Sequence, residues 1–201
     1  MTTTEAGLLR RGRRLEHATL GWNLIGVVVL TVGAISAGSV ALAGFGLDSL
    51  IEIGASTVVL WQLADTTRPD REHRAIRLIG FGFALLVIYL VSQVSYTFAI
   101  GGRPGPSLLG IVWTALTFLV MLALAAGKAR TGAALGNPVL TAEGRVTLID
   151  AYLAGAVLLG LVLNATLGWW WADPFAGLVI VYYALREARE ALRRRPTDSP
   201  E

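Results

Sequence analysis

Between Trp22 and Leu63 the chain runs for about 40 residues with no charge except Asp48 and Glu52, and nothing else in the sequence restricts its fold as tightly. As a single helix rising 1.5 Å per residue, this stretch would be about 60 Å long, twice the hydrocarbon thickness of a bilayer. It has to fold back on itself, and the small-residue stretch SAGSVA (Ser36–Ala41) is the place for the turn. Four further apolar runs, Leu78–Ile100, Leu108–Ala126, Val146–Leu167 and Pro174–Leu185, approach or exceed the roughly 20 residues that a spanning helix needs. The chain is 54% hydrophobic and 15% charged, with its apolar residues in runs and not at amphipathic spacing, which is the pattern of a membrane protein.

The expected fold class is therefore an all-α membrane protein, a bundle of six transmembrane helices. Their expected extents are His17–Ala37, Val40–Leu63, Ala75–Ile100, Ser107–Gly127, Val139–Leu167 and Asp173–Arg194. Around this domain (15–195) stand a basic N-terminal tail (1–14) and a short C-terminal tail (196–201). Arg and Lys recur after every second apolar segment: Arg10 to Arg14, the stretch from Ala64 to Arg77, Lys128 with Arg130, and the C-terminus. By the positive-inside rule both termini and two loops face the cytoplasm, leaving Arg103 as the basic residue of the far side. These clusters sit in short loops with no recognition motif, so they report topology and not nucleic-acid binding. No cysteine is present, which excludes disulfides and thiolate metal sites. The basic N-terminus leads into a run too long for the core of a signal peptide, so no cleavage is expected.

GWWWADP (Gly168–Pro174) reads as a compact outer hairpin whose Trp residues suit the membrane interface, with Asp173 as N-cap and Pro174 opening helix 6. Tyr89, Ser92, Gln93 and Tyr96 form a polar stripe on helix 3, expected to act as interhelical hydrogen-bonding glue.

Asp48 and Glu52 lie about 12 and 18 Å into helix 2, and a separation of four positions places them about 40° apart on one face. Carboxylates at that depth face a protein interior or a water-filled cavity and mark an ion path. Gly44 and Gly46 could instead break the helix so that Asp48 merely caps a new one, but Ser49–Leu63 would then be too short to span. On helix 5, Glu143, Thr147 and Asp150 share a face, and Asp150 falls near the depth of the helix 2 acids. Two carboxylates from one helix and one from another can enclose a divalent cation, with Thr147 or water completing the oxygen shell. Asp150 is read as a ligand, the alternative being a hydrogen-bonded structural acid. Glu143 lies about 10 Å along the axis from Asp150, which suits a cytoplasmic gate or staging ligand. Arg145 is expected to snorkel to the headgroups and not to serve as a counter-ion.

The segments SVALAGFGLDSLIEIGAS, AEGRVTLIDAYLAGAVLLGLVLN and GWWWADPFAGLVI together resemble the transmembrane domain of the cation diffusion facilitator family, over about Leu15 to Leu192. The resemblance implies a tetrahedral site for zinc or another divalent ion exchanged for protons, built from Asp-x-x-x-Asp on helix 2 and His-x-x-x-Asp on helix 5. Asp48 and Glu52 take the helix 2 positions and Asp150 the second helix 5 position. The family His falls on Val146, so the fourth ligand is Thr147, water, a carboxylate's second oxygen, or absent. Family members commonly continue into a cytoplasmic domain that binds metal and dimerises. Here the sequence ends at Glu201, so a short form lacking that domain is expected, with any homodimer built by helix packing. A Pro-Asp-x-x-His fragment (Pro69, Asp70, His73) is kept in the first cytoplasmic loop and is read as ordinary solvated loop; His17 is read as interfacial.

Zinc comes first through the resemblance, whereas an oxygen-only ligand set equally suits manganese, iron(II) or magnesium. Carboxylates clustered away from water cannot all stay ionised, so metal and protons compete for the same oxygens. The expected function is proton-coupled metal efflux across a bilayer, in a bacterial inner membrane. The rival reading is a non-transporting metal-sensing or partner-binding scaffold. No HExxH, Ser-His or Cys-His arrangement is present, so no enzyme is expected.

Overall fold

The computed structural model describes residues 3–64 and 69–193. Six helices follow in order: α1 (Thr3–Ala37), α2 (Val40–Ala64), α3 (Pro69–Ile100), α4 (Leu108–Leu135), α5 (Pro138–Leu167) and α6 (Ala172–Arg193). The fold-back falls at Gly38–Ser39, inside the small-residue stretch, and α2 starts at Val40. Each described turn between helices carries a glycine with φ between 61° and 67°, at Gly38, Gly101, Gly136 and Gly168. That left-handed conformation carries no steric cost only without a Cβ.

Three boundaries differ from the sequence expectation. The basic stretch Arg10–Arg14 is helical, continuous with α1, which starts at Thr3. Asp70 and His73 fall in the first turns of α3 and not in a loop, although their side chains lie outside the described residues. Finally, α4 continues eight residues past Gly127 to Leu135, so Lys128 and Arg130 are helical. The reason is that AAGKARTGAAL is rich in the best helix former and has no proline, while its glycines sit where α4 packs closely, Gly132 against Thr141 of α5. Gly136 then stops α4, and Asn137 accepts from Leu140 N–H (3.0 Å) as N-cap of α5, with Pro138 at its first position.

Packing is closest between α4 and α5, α1 and α2, and α3 and α6; α1 also meets α4, and α2 borders α3, α5 and α6. Small residues allow these approaches. A Cβ on Gly144 would stand 2.9 Å from the backbone nitrogen of Ala129, and one on Gly44 would stand 2.6 Å from Leu90 Cδ2. Gly44 and Gly46 therefore do not break α2; they let neighbouring helices close on it. The apolar core holds Leu30, Leu42, Phe45, Leu90, Leu161 and Ile180, while Val28, Ile35, Leu85, Leu119 and Leu159 point outward. Many polar side chains are turned inward, the distribution expected when the surroundings are hydrocarbon. α1, α3, α4 and α5 each contain a segment long and apolar enough to cross a bilayer. The other two helices are α2, with its internal acids, and α6, which ends in the charged turns REAREALR.

Asp173 departs from its expected role. It sits inside the first turn of α6 and caps α2 from across the bundle. Its carboxylate accepts from the Ser39 hydroxyl and from the backbone N–H of Val40 (3.0 Å) and Ala41 (3.4 Å); Ser39 Oγ in turn accepts from Leu42 N–H (3.1 Å). In the helix 3 stripe, no interhelical hydrogen bond is seen from Ser92 or the two tyrosines among the described residues. Ser92 donates to the Ile88 carbonyl of its own helix, and Tyr89 and Tyr96 are exposed, bordering an open cavity of about 380 Å³ shared with Ala34, Ser39 and Arg103.

Candidate metal site

α2 brings Asp48 and Glu52 into the bundle because Leu42 and Phe45, on the preceding turns, anchor it in the apolar core. α5 meets it from the other side, anchored by Ala151, Ala154 and Val157. Asp48, Glu52 and Asp150 are 2%, 4% and 3% exposed, so neither lipid nor bulk water covers them. Asp150 lies within electrostatic reach of both Asp48 and Glu52, and Asp48 also within reach of Glu187 on α6.

What distinguishes these acids is how few hydrogen bonds they make. Both oxygens of Asp150 are buried with no partner. Glu52 Oε2 accepts from Asn23 Nδ2 of α1 (2.8 Å), while its Oε1 has none. Buried carboxylate oxygens are ordinarily paired, and one left without a partner calls for a proton, a water or a cation to satisfy it. Even so, among the described residues no three His, Asp or Glu side chains are gathered closely enough to hold a metal ion. The three acids face one another across α2 and α5, which touch only lightly.

Thr147 and Glu143 point to a different partner. Lys128, which the sequence pattern placed in a cytoplasmic loop, is wholly buried on α4. Its ammonium donates to Glu16 Oε2 of α1 (3.1 Å), to Glu143 Oε1 of α5 (3.3 Å) and to Thr147 Oγ (3.1 Å). Three donors thus meet three acceptors, all that an ammonium can make. The Ser56 hydroxyl lies near Glu16, and neither it nor Glu16 Oε1 has a hydrogen bond of ordinary geometry. Lys128 is within electrostatic reach of Glu52 and Asp150 as well. A polar column therefore runs from Glu16, Lys128 and Glu143 at the basic end to Asp48 at mid-depth. Val146 adds no ligand; Arg145 and His17 are exposed, the latter bonded through Nδ1 to the Arg13 carbonyl (2.6 Å).

The sequence reading gave Glu16 and Asn23 no site role and took Lys128 only as a mark of topology, yet helical spacing marks all three. Glu16, Thr19, Asn23 and Leu30 lie on the buried stripe of α1; Thr114, Thr117, Met121, Leu124, Lys128 and Thr131 lie on that of α4.

Over residues 17–195 the sequence matches the cation efflux transmembrane domain. The chain belongs to the cation efflux family. Eighty residues, 40% of the chain, are 36% identical to the cation-efflux pump FieF of Shewanella oneidensis, covering 27% of that protein. Another 143-residue match, 68% of the chain, is 27% identical to transmembrane protein 163 of Xenopus laevis and covers 50% of it. The chain thus spans between about a quarter and a half of the length of these relatives. Membership of the cation efflux family and the four apolar spans make this an integral membrane protein.

Proposed function

We propose that this cation efflux family member carries a divalent metal ion across the membrane, binding it between Asp48 and Glu52 of α2 and Asp150 of α5. The observation that carries the reading is the pair of buried, unpartnered oxygens of Asp150 facing the two α2 acids. Closure of α2 on α5 would bring the three carboxylates to ligand distance, with water or Thr147 completing the shell. Zinc is the first ion expected, on the family resemblance; the Shewanella relative, by its name a cation-efflux pump, supports cation export without choosing the metal. The oxygen-only ligand set also accommodates manganese and iron(II). Protons compete with the metal for the same oxygens, so an inward proton gradient would drive metal out of the cell. The setting that fits is a bacterial inner membrane, with a second copy joined through helix packing.

The test is metal uptake into proteoliposomes, offering zinc, manganese, iron(II) and cobalt in parallel with an internal pH dye, for wild type and Asp150→Asn. Metal entry with opposite proton movement, lost in the variant, is the expected result. Metal bound by a folded protein that moves none would overturn transport in favour of a metal-binding scaffold.

A further inference from the structure

Lys128 is the only lysine in the chain, against sixteen arginines and two histidines, and it is the one basic group the described bundle buries completely. Topology does not explain that choice, because arginine serves the positive-inside pattern equally well. Lysine differs in carrying a compact point charge on a flexible four-carbon stem, whereas guanidinium is a planar fork. The three groups around it, carboxylates from Glu16 and Glu143 and the hydroxyl of Thr147, are hard oxygen donors contributed by α1 and α5. That is the donor set of a hard or borderline divalent cation.

We propose that Glu16, Glu143 and Thr147 form a second cation site, filled in this structure by the Lys128 ammonium, and that a divalent metal ion takes the site by displacing it. The inference rests on the reading that this chain carries divalent ions. Two carboxylates hold one positive charge while the ammonium is present and two when the metal replaces it, so the exchange improves local charge balance. A second observation points the same way: Glu16 Oε1 is buried at the cluster beyond the ammonium's reach, with only the Ser56 hydroxyl near Glu16 and no hydrogen bond of ordinary geometry made to it. The displaced ammonium has somewhere to go. Asp150 lies one turn along α5 from Thr147, within electrostatic reach of Lys128, with both oxygens free. Metal passing on from the second site to Asp150 would return the ammonium to Glu16 and Glu143. The lysine then acts as a tethered cation that alternates with the metal between two sites.

Zinc binding to the purified full chain in detergent, counted by equilibrium dialysis with manganese in parallel, tests this. Asp150→Asn removes an acid of the mid-depth site, and Lys128→Met in that background frees the second one. Asp150→Asn/Lys128→Met is expected to bind one zinc at least 10-fold more tightly than Asp150→Asn alone, and Glu16→Gln added to it should abolish the gain. Lys128→Gln replaces Lys128→Met should the latter elute as aggregate. Equal zinc binding with and without Lys128 in a monodisperse protein would overturn the proposal, whatever the uptake assay shows. Zinc bound by the double variant, together with no uptake by wild type, would keep the second site and refute transport.

Discussion

Asp173→Ala removes the cap that α6 places on the start of α2, and its cost can be worked from the contacts. The Val40 N–H, at 3.0 Å from the carboxylate, loses its acceptor in a fully buried place; the Ala41 bond at 3.4 Å is weak and adds little. A buried donor left unsatisfied costs about 1–3 kcal/mol, and loss of a helix N-cap about 1 kcal/mol. With the Ser39 hydroxyl free to turn elsewhere, the sum is about 2–4 kcal/mol. Asp173→Asn keeps an acceptor for Val40 and loses only the charge, a cost of about 1 kcal/mol. Ser39→Ala removes both a donor to Asp173 and an acceptor for Leu42 N–H, so it should cost about 1–2 kcal/mol. Because Ser39 and Asp173 share one network, the double variant should lose less than the sum by about 1 kcal/mol. Unfolding free energies from SDS titration in mixed micelles, followed by far-ultraviolet circular dichroism, give all four values. Equal stability of Asp173→Ala and Asp173→Asn, or strict additivity of Ser39→Ala and Asp173→Ala, would refute the cross-bundle cap.

Asn23→Leu takes away the single hydrogen bond to Glu52, leaving both carboxylate oxygens without a partner. Groups that orient a ligand from behind are worth about 10–100-fold in metal affinity, so zinc affinity by dialysis should change by that order with the stoichiometry unchanged. Gly144→Ala forces a methyl to 2.9 Å from the Ala129 backbone nitrogen and should destabilise the α4–α5 contact by about 1–3 kcal/mol. Gly54→Ala, where nothing stands within 4 Å, should instead stabilise by about 0.5–1 kcal/mol. The same SDS titration reads both, and a common sign for the two would refute the packing argument.

The helices and the three mid-depth acids were legible because a membrane leaves few choices. A 40-residue apolar run must turn, and carboxylates that deep must face inward. What local pattern could not convey was which helix a polar group serves. Asp173 precedes a proline exactly as an N-cap does, yet its acceptors are spent on a helix more than 130 residues earlier in the chain. Lys128 follows an apolar run as a loop lysine would, and only the continuation of α4 through an alanine-rich stretch turns it inward. Glu143 and Thr147 were correctly placed on the face of Asp150, but the partner they meet is contributed by α4. In each case the missing information was tertiary: the donor and acceptor lie on different helices, and no spacing along one helix records the match.

The Ser39–Asp173 junction ties the beginnings of α2 and α6 together at the end of the bundle remote from the termini. A rod fastened at one end moves like the hand of a clock. For a 10° tilt about that fastening, Asp48 would travel about 2 Å and the far end of the 25-residue α2 about 6 Å. Small adjustments at the depth of the acids are thereby tied to about a twofold larger sweep at Ser56, which lies near Glu16, and about a threefold larger one at the last turn of α2.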